Sequence, residues 1–235
     1  MKETMGWIEK NFILTALLIF GTVSFVSAKE AVTPVVVVSG MNSFPLTDKD
    51  GNTVYPPSGD KITKLVTDNI KPLLGFLVDG NWQKLGDEII YDVYEDLFAE
   101  IACNEKGESI NEVNISFFPE SVDNYPDIFE NNEQTVSEIG IIKGLIDDVG
   151  GENVYFFNYD WRLDPLKHAD DLNKFIENVK KEKNADKVKL VPCSMGGTVV
   201  NSYLSKYGSD SLETIVYTMT AMQGLDTVGE VFTSL

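Results

Sequence analysis

Residues 187–207 place a short apolar strand, a tight turn and a helix in direct succession, and this order constrains the fold more than any other feature of the chain. The run from Lys187 to Val191 predicts the strand. The turn Pro-Cys-Ser-Met-Gly-Gly then presents Ser194, and a helix is predicted over 194–207. A serine between a strand and a helix, with Gly196 two positions later, is the pattern of a nucleophile elbow. Ser194 is therefore the predicted catalytic nucleophile.

The elbow departs from the common Gly-x-Ser-x-Gly pattern at Pro192, where glycine or alanine is usual. Proline fixes φ near −65° and has no N–H, but we expect an elbow to tolerate both. The helix that follows would direct its partial positive charge at a developing oxyanion. A strand–turn–helix that merely contains Ser-Met-Gly-Gly is the alternative interpretation.

Strands and helices are predicted to alternate from Asn153 onward. Such an order predicts a parallel sheet with helices on its faces. The four valines Val35–Val38 add another buried strand, and a helix predicted over 135–149 stops at Gly150-Gly151. The expected class is α/β, with an α/β-hydrolase fold and a mostly parallel sheet. The C-terminal elements are strands over 153–157, 187–191 and 214–219, and helices over 164–181 and 194–207.

Residues from about 45 to 130 are predicted as a helical insertion between the first strand and strand 153–157. Helices are expected over 60–78, with a break or kink at Pro72, and over 82–103, whereas 48–58 is expected to be loop. Between 86 and 138 there are fifteen Asp and Glu residues and one Lys. A solvated face is the favoured interpretation, because no calcium-loop pattern is present, and no metal is predicted. Whether the insertion acts as a lid stays open.

The loop Ser39-Gly40-Met41 follows the valine strand. In α/β-hydrolases a loop after an earlier strand supplies one oxyanion donor, and the residue after the nucleophile supplies the other. The predicted oxyanion hole therefore consists of the backbone N–H groups of Met41 and Met195. An ordinary strand-ending turn is the alternative for this loop.

Three blocks of the chain are informative together: Pro34-Val-Val-Val-Val-Ser-Gly40, Tyr-Asp-Trp-Arg-Leu-Asp-Pro at 159–165, and Ser-Met-Gly-Gly at 194–197. With these blocks the chain resembles the lecithin:cholesterol acyltransferase-like family of the α/β-hydrolase superfamily. The resemblance implies a serine acyl hydrolase or O-acyltransferase of the lipase, phospholipase or acyltransferase type. It would act on lipid esters through an acyl-enzyme, without a cofactor. The sequence does not distinguish hydrolysis from acyl transfer, because the two reactions differ only in the molecule that accepts the acyl group.

Asp160, Trp161 and Arg162 are expected near the carboxyl end of a sheet strand, where such sheets bind ligands. A carboxylate–guanidinium pair between Asp160 and Arg162 would brace the loop around the site. Trp161 would line an acyl pocket or pack in the core, and the sequence leaves both open.

A serine nucleophile needs a base, and this chain has one histidine, His168. The order in α/β-hydrolases is serine, acid, histidine, whereas His168 precedes Ser194 and falls in a predicted helix, as a surface or packing residue would. Residues 29–235 are therefore expected to be a partial domain that lacks its C-terminal strands and the catalytic Asp and His, and to be nearly inactive alone. The alternative is a non-catalytic secreted binding or interaction protein on the same scaffold.

Residues 1–28 resemble a secretory signal, with an uncharged apolar run over 12–25 and Val26-Ser27-Ala28 as a cleavage site. A secreted or extracytoplasmic protein is expected. An uncleaved anchor is the alternative, although the run is shorter than the roughly 20 residues of a spanning helix. Cys103 and Cys193 could pair in an exported chain, but a buried free thiol at Cys193 is favoured.

The net charge of −18 bears on partners. It argues against nucleic acid, whose phosphates require Lys and Arg, and against electrostatic docking on anionic lipid. Neutral lipid esters remain compatible, and transient contact with a lipid surface is a further expectation. The oligomeric state is left open.

Overall fold

The computed structural model describes residues 32–80, 91–130, 138–220 and 222. The predicted signal at 1–28 lies outside these residues, as do 82–90 and 135–137 of two predicted helices. Within the described residues, no helix has the length and apolar character that crossing a membrane requires.

The strands follow the sequence closely. In chain order they are β1 (Val35–Val38), β2 (Leu46–Thr47), β3 (Thr53–Tyr55), β4 (Val154–Phe157), β5 (Val188–Pro192) and β6 (Leu212–Ile215). Four of them form one sheet in the order β4-β1-β5-β6, and every neighbouring pair is parallel. The predicted α/β class with a mostly parallel sheet is thereby confirmed.

The helices lie within the insertion and between the sheet strands. They are α1 (Gly59–Asp68), α2 (Ile70–Asp79), α3 (Tyr91–Phe98), α4 (Pro126–Phe129), α5 (Ile139–Val149), α6 (Pro165–Lys183) and α7 (Gly196–Tyr207). Local sequence features explain where α6 begins and ends. Asp164 caps it by accepting the Leu166 N–H at 2.9 Å, Pro165 occupies its first position, and Asn184 ends it with φ of 49°.

The alternation of side chains along β1 divides the core into two layers. Val36 and Val38 pack with α6 and α7 on one face, and Val35 and Val37 pack with α5 on the other. All four valines are at most 3% exposed. Such burial on both faces explains why β1 is a continuous β-branched run and does not alternate with polar residues.

Two expectations for the insertion were wrong. Segment 48–58 is not all loop, because β3 pairs antiparallel with β2 and buries Val54. The helical stretch is broken at Asn69, which closes α1 with its N–H on the Leu65 carbonyl, and not at Pro72. Pro72 is the third residue of α2, where a helix has no intrahelical acceptor for the missing N–H.

The last described strand begins and ends earlier than the predicted 214–219. β6 comprises Leu212–Ile215, and the chain beyond it runs along the end of β5. The Val216 N–H donates to the Leu190 carbonyl oxygen, and the Thr218 N–H donates to the Pro192 carbonyl oxygen, each at 2.9 Å. Thr218 is thereby placed beside the turn that carries Ser194.

Candidate active site

Ser194 occupies a strained turn between β5 and α7. Its φ is +48°, a left-handed conformation that non-glycine residues seldom adopt, and its side chain is exposed. Two backbone hydrogen bonds of 3.0 Å fix the turn, from Cys193 N–H to Val38 and from Ser194 N–H to Thr218. Pro192 ends β5 directly before this turn, so the missing N–H does not prevent the elbow from forming.

Glycines let the loop after β1 approach the elbow closely. A Cβ on Gly196 would lie 2.6 Å from the Ser39 carbonyl oxygen and 2.7 Å from that of Val38, so no larger residue fits without backbone movement. A Cβ on Gly40 would lie 3.2 Å from Ser194 Cβ. The segment that sequence predicts to carry the first oxyanion donor is therefore in direct contact with the serine.

Met41 and Met195 are both placed at this junction. Met41 follows Gly40 with its side chain 55% exposed, and Met195 is the residue before the first turn of α7. Neither backbone N–H donates a hydrogen bond to any residue that the structure describes. Their positions on either side of the exposed Ser194 are compatible with the predicted oxyanion hole, in which two N–H groups would bind the developing negative charge.

Asp160 and Arg162 form a buried, two-pronged ion pair. Arg162 Nη2 lies 2.6 Å from Asp160 Oδ2, and Nε lies 2.9 Å from Oδ1. The guanidinium also donates to the Ile101 carbonyl at 2.7 Å and to Ser109 Oγ at 3.1 Å. Its side chain is only 4% exposed. The pair therefore ties the loop after β4 to the insertion.

A cavity of about 850 Å³ lies between that loop, the insertion and the loop after β1. Trp161 borders it and packs on Tyr55 with ring centroids 5.5 Å apart. The exposed side chain of Met41 also lines it. Aromatic walls and this volume are typical of small-molecule sites. The remaining lining is mostly aromatic and aliphatic and includes Tyr91, Tyr94, Phe98 and Ile101.

Unsatisfied polar atoms concentrate on the two loops just described. Within the described part of the chain, the buried side-chain polar atoms without a hydrogen-bond partner are Ser39 Oγ, Asn42 Oδ1, Tyr159 Oη and Trp161 Nε1. Ser39 and Asn42 belong to the loop that contacts the Ser194 elbow through Gly40, and Trp161 borders the cavity.

Residues 123–224 match the model of the lecithin:cholesterol acyltransferase family. The match confirms the resemblance drawn from sequence and is consistent with a lecithin:cholesterol acyltransferase-like member of the α/β-hydrolase superfamily. It includes β4, the Asp160–Arg162 pair, the elbow and β6, whereas β1 and Met41 lie outside it. Among curated proteins, none matches the chain.

The lecithin:cholesterol acyltransferase match suggests activity of the lipid acyltransferase or hydrolase type, with lipid esters as the substrate class. Among the described residues, no cluster of three or more His, Cys, Asp or Glu side chains is suited to a metal ion.

His168 has a packing role in this structure. It is 6% exposed within α6, its Nε2 lies 2.7 Å from the Asp160 carbonyl oxygen, and its ring packs on Tyr159 at 4.9 Å. These contacts hold the His168 ring against the loop after β4, and no described hydrogen bond joins it to Ser194.

Cys103 and Cys193 are both free thiols. Burial, with a smaller contribution from the charge of Glu138, raises the pKa of the Cys193 thiol to about 12. Cys193 is therefore neutral and unreactive at physiological pH, as expected of a buried residue beside the elbow.

Sequence reasoning missed Glu138, which belongs to the acidic tract but is fully buried. Its Oε1 accepts the Gly40 N–H at 2.7 Å and the Ser43 hydroxyl at 2.9 Å. Nothing in the local sequence separates it from the solvated acids, because its partners lie 98 and 95 residues away.

Replacing Arg162 by alanine should strongly destabilise the fold. Asp160 would remain buried without its cation, and breaking such a pair typically costs about 3–5 kcal/mol in the free energy of unfolding. Urea unfolding of the Arg162→Ala and Arg162→Lys variants measures this cost, and lysine should restore only part of it because it lacks the planar fork.

The exposed pair Lys49–Asp50, with side chains 65% and 64% exposed, supplies the control for that experiment. Lys49→Ala should leave the unfolding midpoint nearly unchanged. Equal midpoints for Arg162→Ala and Lys49→Ala would contradict the bracing role of Arg162.

Proposed function

We propose that the protein is a lipid acyl hydrolase or O-acyltransferase that uses Ser194 as its nucleophile through an acyl-enzyme. One observation carries the proposal: Ser194 is exposed on a strained elbow that contacts the loop of Met41. The family match supports the acyl-transfer class.

The reaction proceeds in two balanced steps. Ser194 Oγ attacks the ester carbonyl, the oxyanion accepts hydrogen bonds from the Met41 and Met195 N–H groups, and the alcohol leaves with a proton. Water or a second alcohol then takes the acyl group and restores the serine. The base that accepts the Ser194 proton is not His168, so the proposal requires a base other than the one histidine of this sequence.

The aromatic cavity beside Met41 is the proposed site for the acyl chain. Its lining of Tyr55, Tyr94, Phe98 and Trp161 offers apolar contact, and Met41 joins it to the proposed oxyanion hole. The same residue would thus contact the acyl chain through its side chain and the carbonyl oxygen through its N–H. This arrangement favours an ester with a long apolar acyl chain over a small polar ester.

A non-catalytic binding protein on the same scaffold is the second candidate. The packing role of His168 favours it, because an elbow serine without a base reacts slowly. Export is part of both proposals and rests on the sequence of residues 1–28.

A serine-reactive alkyl fluorophosphonate tests the nucleophile directly. The protein should acquire one adduct, mapped by mass spectrometry to Ser194, and imidazole in solution should accelerate labelling at least about tenfold by acting as a general base. Ser194→Ala should abolish the adduct with and without imidazole.

Ser205→Ala is a matched control, because Ser205 is an exposed serine on α7, outside the elbow. The Ser205→Ala variant should form the Ser194 adduct at the same rate as the unsubstituted protein. A folded protein that forms no adduct at Ser194 even with imidazole would refute the acyl-enzyme proposal and favour the binding protein.

Contact with an uncharged lipid surface is a second prediction. Ile62 and Val66 lie one turn apart on α1 and are 46% and 52% exposed, and Ile70 and Leu74 continue the apolar residues on α2. Burying two half-exposed side chains contributes about 2 kcal/mol, so the double change Ile62→Ser, Val66→Ser should weaken binding to phosphatidylcholine vesicles by about tenfold or more in flotation assays.

The control for the vesicle assay is Ile110→Ser, which makes the same kind of change at a residue that is 63% exposed and lies outside α1 and α2. It should leave flotation unchanged. Equal flotation of the double variant and the unsubstituted protein would exclude α1 as the contact surface.

A further inference from the structure

Glu138 contacts the loop Ser39–Ser43, which we call the oxyanion loop. The carboxylate is 0% exposed and lies in the turn before α5. We propose that Glu138 is a positioning residue that holds this loop so that the Met41 N–H faces the reacting acyl oxygen. The inference rests on the proposed function and assigns a role to a group outside the nucleophile and the oxyanion donors.

The two hydrogen bonds of Glu138 reach residues on either side of Met41 in the sequence. Oε1 accepts from Gly40, one residue before Met41, and from Ser43, two residues after it. Between them Asn42 adopts a left-handed φ of 59°, which asparagine tolerates better than most residues and which turns the chain sharply at this point. Hydrogen bonds to a carboxylate are among the stronger ones, so the residues on both sides of Met41 and Asn42 are anchored to one oxygen atom.

Gly40 lies between the Glu138 carboxylate and the nucleophile Ser194. A Cβ on Gly40 would lie 3.0 Å from Glu138 Oε1 and 3.2 Å from Ser194 Cβ, so the carboxylate and the serine contact the same residue. The charge of Glu138 also adds to burial in raising the pKa of Cys193 and of Tyr159. The field of the carboxylate therefore reaches the residue next to Ser194.

Hydrogen bonding and charge have opposite effects on an oxyanion formed here. The hydrogen bonds orient the Met41 N–H, whereas a nearby negative charge disfavours the oxyanion. Glutamine keeps an acceptor oxygen and removes the charge. Leucine has a similar volume and offers no acceptor, which leaves the Gly40 N–H unpaired.

Two measurements on the whole chain test the role. In hydrogen exchange followed by mass spectrometry, Glu138→Leu should speed exchange in peptides covering the oxyanion loop about tenfold or more, with α6 peptides unchanged, and Glu138→Gln should keep the original protection. In fluorophosphonate labelling with imidazole, Glu138→Leu should lower the maximal rate at Ser194 ten- to hundredfold with little change in the concentration for half-maximal rate. Glu138→Gln should match or exceed the original rate.

Glu120 supplies the matched control, since it is an exposed acid of the same tract. Glu120→Leu should alter neither exchange nor labelling. Unchanged exchange of the oxyanion loop in Glu138→Leu would overturn the proposal, as would a labelling rate in Glu138→Gln as low as that of Glu138→Leu. Exchange is read without any reaction at Ser194, so a failure of labelling in the unsubstituted protein would count against the nucleophile and not against the anchor.

Discussion

The pairing of β1 with β5 is the interaction on which the candidate site depends. Parallel strands end at the same sheet edge, and Val38 lies opposite Pro192, so the loop after β1 and the elbow after β5 begin side by side. The Cys193 N–H to Val38 bond continues the ladder into the turn. Gly40 and Gly196 then remove the side chains that would hold the two segments apart.

Two buried carboxylates hold the loops at this edge, by different means. Asp160 pairs with Arg162, which reaches across to Ile101 and Ser109 and so joins the sheet to the insertion. Glu138 instead accepts neutral donors from the oxyanion loop. A buried ion pair contributes little net stability, but losing one partner is costly, so such groups define geometry more than they stabilise the fold.

The sequence predicts those helices and strands whose formation depends on neighbouring residues in the chain. The run Val35–Val38 indicates a strand buried on both faces, and Asp164 with Pro165 indicates the start of α6. The hairpin of β2 and β3 was missed because Val54 alone is buried in β3, too little for a period-two pattern. Glu138 was missed because its burial is a tertiary property. The elbow was found because its strained turn requires a particular order of residue types.

A crystal structure of the Ser194 phosphonate adduct tests the central claim, that the loops after β1 and β5 together form an oxyanion hole. One phosphoryl oxygen should lie within about 2.7–3.1 Å of both the Met41 and the Met195 backbone nitrogens. The Gly40 N–H should remain on Glu138 in the adduct. A phosphoryl oxygen that faces solvent, or one held by Met195 alone, would contradict the account.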